Sequence, residues 1–467
     1  MTKIDEILRE ALKMYKPTPS EEEILKRVSE KIVREAILES SRYEGILDVT
    51  LEGSAAKETW VRGREEVDIF IHFDPTVALE TLEKTVIELG FKVLRKLDGN
   101  PRLMYADHPY VEGRLGNVIV NIVACYKVNP PNWISATDRT PYHTKYVKEK
   151  LDQNARDEVR LLKAFMMCCG VYGAEIKMRG FSGYLAELLI INYGGFMETL
   201  REASNWIPPV VIDIEKHYKS KEEVLDVFGE RHLIVVDPVD RMRNVASAVS
   251  EEKFSEFILA SKLFSRSPNI SFFKPREEII SKTSTIRGNG ERCILIVYFK
   301  LSSIKPPDVL WGELKKTENG LKKYLESSGF TVYRSDSWTD EENICLIAFE
   351  LPSLTLPYVK IHQGPPVHNP NVLQFIDKWI KNEDRIAGPW ISGTRLYILR
   401  RNNIRNVVEI IRKGLSENRV AVSKGLAEDL RKAEIYTSIE EVGNTRARKF
   451  LELFLDGRPA FLDRYEG

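Results

Sequence analysis

The chain has 467 residues, 43% of them hydrophobic and 30% charged, which excludes a disordered protein and, at roughly 150 residues per domain, provides for two to four domains with cores of their own. Sixty-nine Lys and Arg offset 69 Asp and Glu, so a global basic footprint is missing and any nucleic-acid contact must come from local clustering. With no apolar run near the ~20 residues of a membrane span, no apolar signal segment at the N-terminus, and five scattered cysteines that form no CxxC pair, the expectation is a cytoplasmic protein with no membrane contact and no disulfide framework or zinc site.

Residues 1–40 predict two helices, the second starting at Pro19 and Ser20 with Glu21 to Glu23 in its first turn, where acids suit the dipole. From about 48 to 130, short β-rich runs (LDVTLEGS, EVDIFIHF, FKVLRKL, NVIVNIVACY) surround one helix near 77–89, a pattern that predicts a small mixed α/β domain. Pro130-Pro131 and the loop NWISATDRTPYH mark its exit. Residues 143–265 turn helical, with apolar positions at 3.6-residue spacing in DEVRLLKAFMMCCGVYG and SGYLAELLIINYGGFMETLREASNW.

Near 292 a β-α-β-β order begins, running from RCILIVYF through the helix of LWGELKK to FTVYRS and NICLIAFEL. This is a split βαβ unit of the kind found in ferredoxin-like and RNA-recognition folds, although the aromatic motif of the latter is absent. The last ~90 residues read as helical and basic, with ten Lys and Arg against four acids between Arg395 and Lys432. By itself such a run is a solvated helical face.

The most informative segment is Leu51 to Asp74, LEGSAAKETWVRGREEVDIFIHFD. On a strand, Val67, Ile69, Ile71 and Phe73 form one apolar face, while Glu66, Asp68, Phe70 and His72 occupy the other. Two carboxylates two residues apart lie side by side, close enough to share divalent cations for phosphoryl transfer. An ExD pair alone is more often an exposed polar face at a sheet edge. Gly53-Ser54, twelve residues ahead of Glu66, adds a turn whose backbone and hydroxyl can approach a phosphate.

Together these resemble the polymerase-β nucleotidyltransferase superfamily. GSAAKETWVRGREEVDIF, YADHPYVEG, DRTPYHTKYV, DEVRLLKAF, GVYGAEIKMRGFSGYLAELLI and VVDPVDRMRNVA more specifically resemble the archaeal, class I CCA-adding enzymes, densely from about 50 to 275 and more weakly beyond. The resemblance implies an α+β multidomain fold: a catalytic head over 1–142, a helical nucleotide-binding neck over 143–270, a ferredoxin-like body over 271–385 and a basic helical tail over 386–467 that binds tRNA. It implies template-independent addition of C, C and A to the tRNA 3′ end from CTP and ATP, with Mg²⁺, and it leaves a homodimer open.

Carried over by position, Glu66 and Asp68 match two metal-binding carboxylates. Gly53, Ser54, Lys57, His143, Lys163 and Tyr172 match nucleotide contacts, Lys57 standing where an arginine is usual. Arg243 matches the residue that helps read the base. Read without the resemblance, His143 is an ordinary loop histidine, Lys163 a snorkelling side chain and Tyr172 a core aromatic.

One position departs. The family's third carboxylate falls at Asn121 in VNIVAC, and no Asp or Glu lies between Glu112 and Asp138 to replace it. An asparagine carbonyl still ligates Mg²⁺ weakly, but it is no base and carries no charge. Asn121 therefore keeps a catalytic and metal-binding place with impaired chemistry. Two rivals follow: a catalytically silent tRNA-binding protein, and another RNA 3′-terminal transferase such as a poly(A) polymerase.

Overall fold

The computed structural model describes residues 2–105, 108–275 and 292–464. It separates into two compact units, Met1–Thr283 with Arg458–Gly467, and Ser284–Gly457.

The first unit opens with helices α1 (Lys3–Tyr15) and α2 (Pro19–Ser40), each started by a threonine capping box, from Thr2 and Thr18. Strand β1 (Ile46–Glu52), the one-turn helix α3 (Gly53–Lys57), β2 (Glu66–Phe73), α4 (Leu79–Lys96), β3 (Arg102–Tyr105), β4 (Pro109–Leu115) and β5 (Val118–Tyr126) follow. The strands form one sheet in the order β1-β2-β5-β4-β3, in which β2 and β5 run parallel and the other neighbours antiparallel. Leu25, Ile32 and Ala36 of α2 join Leu82, Val86, Leu89 and Val93 of α4 in the core beneath it.

FKVLRKL is not a strand. It continues α4, burying Val93 and Leu94 at helical spacing after Val86 and Leu89. Gly90, which reads as a stop, is a close-approach point instead: a Cβ there would lie 2.8 Å from the Val111 side chain of β4. The two short strands β3 and β4 lie in the stretch between, where no strand is expected.

Helices α5 (Thr140–Lys150), α6 (Gln153–Cys169), α7 (Gly183–Tyr193) and α8 (Phe196–Ala203) come next. The expected helical run is then interrupted by β6 (Val210–Ile212), α9 (Lys221–Phe228), β7 (Leu233–Asp237) and β8 (Asp240–Asn244), before α10 (Glu251–Arg266). The three strands make a small sheet in the order β6-β7-β8. Every residue of LIVVD in β7 is buried, as a short continuous apolar run in a central strand should be. Phe165, Phe196, Phe257 and Phe264 anchor the core of this part, which Phe461 from the chain's end also enters. Arg464 donates to the Phe272 carbonyl at 3.1 Å.

The second unit contains β9 (Cys293–Lys300), a helix over Pro307–Ser328, β10 (Arg334–Thr339) and β11 (Ile344–Leu351). It continues with β12 (Val359–Pro366), β13 (Arg385–Ser392), β14 (Arg395–Arg401) and β15 (Glu434–Tyr436). Its main sheet has the order β10-β11-β9-β15 with all neighbours antiparallel, the ferredoxin-like arrangement.

The fourth strand of that sheet comes from within the expected tail. So do β13 and β14, which form a three-stranded sheet with β12 in the order β12-β14-β13. Residues 386–467 are thus not a separate helical tail. Leu396 and Ile398 are buried while Tyr397 between them is not, a period of two that the basic composition hides. No helix among the described residues is long and apolar enough to cross a membrane.

Candidate active site

Strand β2 is held between β1 and β5, so its polar face is not a sheet edge. Val67, Ile69, Ile71 and Phe73 are fully buried in the core, which turns Glu66 and Asp68 to the opposite face. The register sets Asp68 across from Glu52 on one side and Asn121 on the other. The Asn121 amide Nδ2 donates to Glu66 Oε1 at 2.6 Å and to Asp68 Oδ1 at 2.9 Å. Its carbonyl Oδ1 is buried without a partner.

Enclosure by protein, then the Asp68 charge, push the Glu66 carboxyl up to about 7. Glu66 still reaches solvent, so it stands in an open cleft rather than a sealed interior. Burial also pushes Asp68 up, against the pull of the Asn121 amide and Lys57.

Gly53 sits at φ +69°, and a Cβ there would lie 1.9 Å from Asp68 Oδ2. Only glycine lets the chain turn against the carboxylate at that point. The turn then delivers Lys57 and Thr59 to a second cluster. Lys57 Nζ donates to Glu187 Oε2 at 2.6 Å, and Thr59 Oγ1 donates to Glu187 Oε1 at 2.6 Å. Lys163 Nζ reaches Glu187 Oε1 at 2.8 Å, Thr59 Oγ1 at 3.1 Å and the Thr59 carbonyl at 3.2 Å.

Lys163 is therefore no snorkelling side chain. It is 2% exposed, and the three acceptors match its three N–H donors. Lys57, 8% exposed, gives one N–H to Glu187 and stands 5.6 Å from the Tyr184 ring centre. Burial alone would raise the wholly buried Glu187 carboxyl, yet the two lysines hold it down at about 2. One turn before Lys163, Arg160 donates to the carbonyls of Glu58 (2.6 Å) and Trp60 (3.1 Å), which fixes this segment to α6.

A third cluster forms around Asp237, at the end of β7. His143 Nε2 lies 2.8 Å from Asp237 Oδ2, Arg243 Nη1 donates to the same oxygen at 2.7 Å, and the Tyr184 hydroxyl donates to Oδ1 at 3.2 Å. The His143 ring stacks on Tyr184 at 4.1 Å. Burial lowers the His143 pKa against the pull of Asp237. Despite its own burial, Asp237 is held below the usual carboxylate range by His143 and Arg243.

Tyr184 thus links the lysine cluster to the histidine–arginine one. Tyr172 stands close by: a Cβ on Gly183 would lie 2.9 Å from its hydroxyl, and 3.6 Å from Lys163 Nζ. The Arg64 guanidinium covers its ring at 5.8 Å.

All ten expected residues fall in the first unit, in or beside these three clusters. Sequence reasoning missed Thr59, Tyr184, Glu187 and Asp237. A single acid in the apolar helix run YLAELLII, and one closing the apolar strand LIVVD, were the available signals. Among the described residues no three His, Cys, Asp or Glu side chains gather around one point. The donor set on β2 and β5 is two carboxylates and an amide.

A Gly-Ser turn against two carboxylates on a central strand, backed by one buried lysine at the end of that turn and another on α6, defines a polymerase-β-type nucleotidyltransferase. A family model described as the second domain of tRNA nucleotidyltransferases matches residues 157–274, and one for the C-terminal domain of CCA-adding enzymes matches 290–438. A CCA-adding enzyme of Pyrobaculum islandicum is 36% identical over 431 residues, covering 92% of this chain and 97% of its own. One from Methanothermobacter thermautotrophicus is 34% identical over 461 residues, covering 97% of both. The chain belongs to the CCA-adding enzyme family. Among solved structures, a cytoplasmic RNA terminal U-transferase is 14% identical with a TM-score of 0.45, covering 59% of this chain and 99% of that one.

Proposed function

We propose that the chain adds C, C and A in turn to the 3′ end of tRNA, from CTP and ATP and without a nucleic-acid template. The observation that carries this reading is the meeting of the acid pair, the Gly53-Ser54 turn and the Lys57–Lys163 and His143–Arg243 clusters within one unit of a CCA-adding family member. The tRNA 3′ hydroxyl attacks the α-phosphate in line, and pyrophosphate leaves. Ser54, Lys57, His143 and Tyr172 are the triphosphate contacts of this reading. Lys163, whose donors are taken within the protein, acts on the phosphates through its charge. Arg243 offers only donors, which suits cytosine and adenine, both of which present acceptors.

The residues fit a divalent cation. Two carboxylates crowded together are relieved by a positive charge between them, and the unpartnered Asn121 Oδ1 supplies a third oxygen once its amide turns end for end. We assign Mg²⁺ to Glu66, Asp68 and Asn121, where it would neutralise phosphate charge and lower the pKa of the attacking hydroxyl. Asn121 itself takes no proton, so this chain should run slower than an aspartate version by about 10²–10⁴.

In this reading residues 1–142 are the catalytic head and 143–270 the neck, and the second unit grips the tRNA by backbone and shape, as A-form RNA requires. The tRNA substrate places the enzyme in the cytoplasm. A homodimer is proposed on the family resemblance alone, and light scattering checks it. The relatives favour neither a poly(A) polymerase nor a silent binder. Incubation of a tRNA ending before CCA with labelled CTP and ATP should give two C additions, then one A. Runs of A from ATP alone would point to the polymerase, and no incorporation by either this chain or Asn121→Asp would point to the binder.

A further inference from the structure

A site that binds a triphosphate must also let pyrophosphate go, and its fixed charge governs both. In the first unit, Lys57, Lys163 and Arg243 are set against two wholly buried carboxylates, Glu187 and Asp237. Arg243 and Asp237 cancel. Two ammonium groups share the single Glu187 carboxylate, and the charge this leaves on Lys57 acts on Asp68 and Glu52 of the acid cluster, drawing both down against their burial. A buried ion bridge is a poor way to gain stability, and a well-packed apolar trio would serve as well or better. A lysine kept out of water beside the acid pair, with donors unspent, points to an anion that arrives later.

The hydrogen bonds show how Lys57 is directed. Lys163 spends its donors on Glu187 and on Thr59, and Thr59 donates in turn to Glu187. Lys57 gives Glu187 one N–H only, and no other acceptor among the described residues takes from it. Glu187 thus ties α6 and α7 to the segment that follows the Gly-Ser turn and fixes the direction of Lys57.

We propose that Glu187 is a positioning residue that orients Lys57 toward the phosphates and cancels one of the two lysine charges, so that pyrophosphate is bound weakly enough to leave. This rests on the nucleotidyltransferase reading above.

The test uses the full chain with Glu187→Gln and Glu187→Asp, magnesium pyrophosphate titrated by calorimetry, and CTP addition measured in parallel. Glu187→Gln restores the second charge and should bind pyrophosphate about tenfold tighter, with a lower KM for CTP. Glu187→Asp keeps the charge but is too short to reach all three donors. Its pyrophosphate affinity should stay within about threefold of wild type, with kcat down about tenfold.

Pyrophosphate bound no tighter by folded Glu187→Gln, or a wild-type kcat in Glu187→Asp, would overturn the proposal. If the Gln variant does not fold, the Asp variant decides. A wild-type chain that takes up neither CTP nor pyrophosphate would overturn the functional reading itself, and that failure shows before any variant is made.

Discussion

Two charged clusters in the first unit are built on opposite terms. On β2 and β5 like charges are brought together, with only an amide between them, and the Glu66 carboxyl is pushed up to about 7. Behind it, opposite charges are locked together in the interior, and the Glu187 carboxyl is held at about 2. The first arrangement is unfavourable until something positive arrives. The second is nearly complete in itself. In the proposed reading one cluster serves a metal and the other a triphosphate, which would explain why the fold accepts crowded acids on a central strand.

The comparison breaks most severely at Asp68. Asp68→Asn removes one of the two charges that define the acid cluster, and CTP incorporation should fall by about 10⁴, close to 5.5 kcal/mol of barrier. Single-turnover addition measures this, and pyrophosphate affinity at the other cluster should be much less affected. A smaller effect is expected at Gly53, where the two clusters are joined in sequence. Gly53→Ala places a Cβ 1.9 Å from Asp68 Oδ2 at a φ of +69°, and should cost about 2–4 kcal/mol in urea unfolding.

The subtlest signature lies in pH. Glu66 has a folded pKa of about 7 against an ordinary 4.5, so the folded state binds its proton more tightly and loses stability as pH rises from about 4.5 to about 7. Glu187 has a folded value of about 2 against the same 4.5, so its contribution is complete above about 4.5 and is lost as pH falls toward 2. Thermal melts across this range should show slopes of opposite sign, with Glu66→Gln flattening only the upper one.

Much of the acid cluster was legible before any coordinates. Alternation by two put Glu66 and Asp68 on one face, and the Gly53-Ser54 turn ahead of them offered a place where backbone meets a carboxylate or phosphate. The lysine cluster was half legible. Lys57 and Lys163 could be named, but Glu187 is 130 positions from one and 24 from the other, and it sits in a helix whose pattern is simply apolar. Nothing local announces a partner at that distance.

The errors in the fold have similar causes. Gly90 looks like a helix stop because its packing against Val111 is invisible in one dimension. The basic count over 395–432 hid the two-residue period of β14, and the three-residue β15 just after it finds its place only beside β9. Composition describes a surface; pairing across a sheet is decided elsewhere in the chain.

The account rests on the claim that the specificity machinery is intact and that position 121 limits the rate. Initial rates of CCA addition to a truncated tRNA, for this chain beside Asn121→Asp, test that claim most directly. The account predicts that the aspartate version is faster by about 10²–10⁴ with the same C, C, A order and a similar KM for CTP. Equal rates would contradict it, because another group would then have to activate the tRNA hydroxyl.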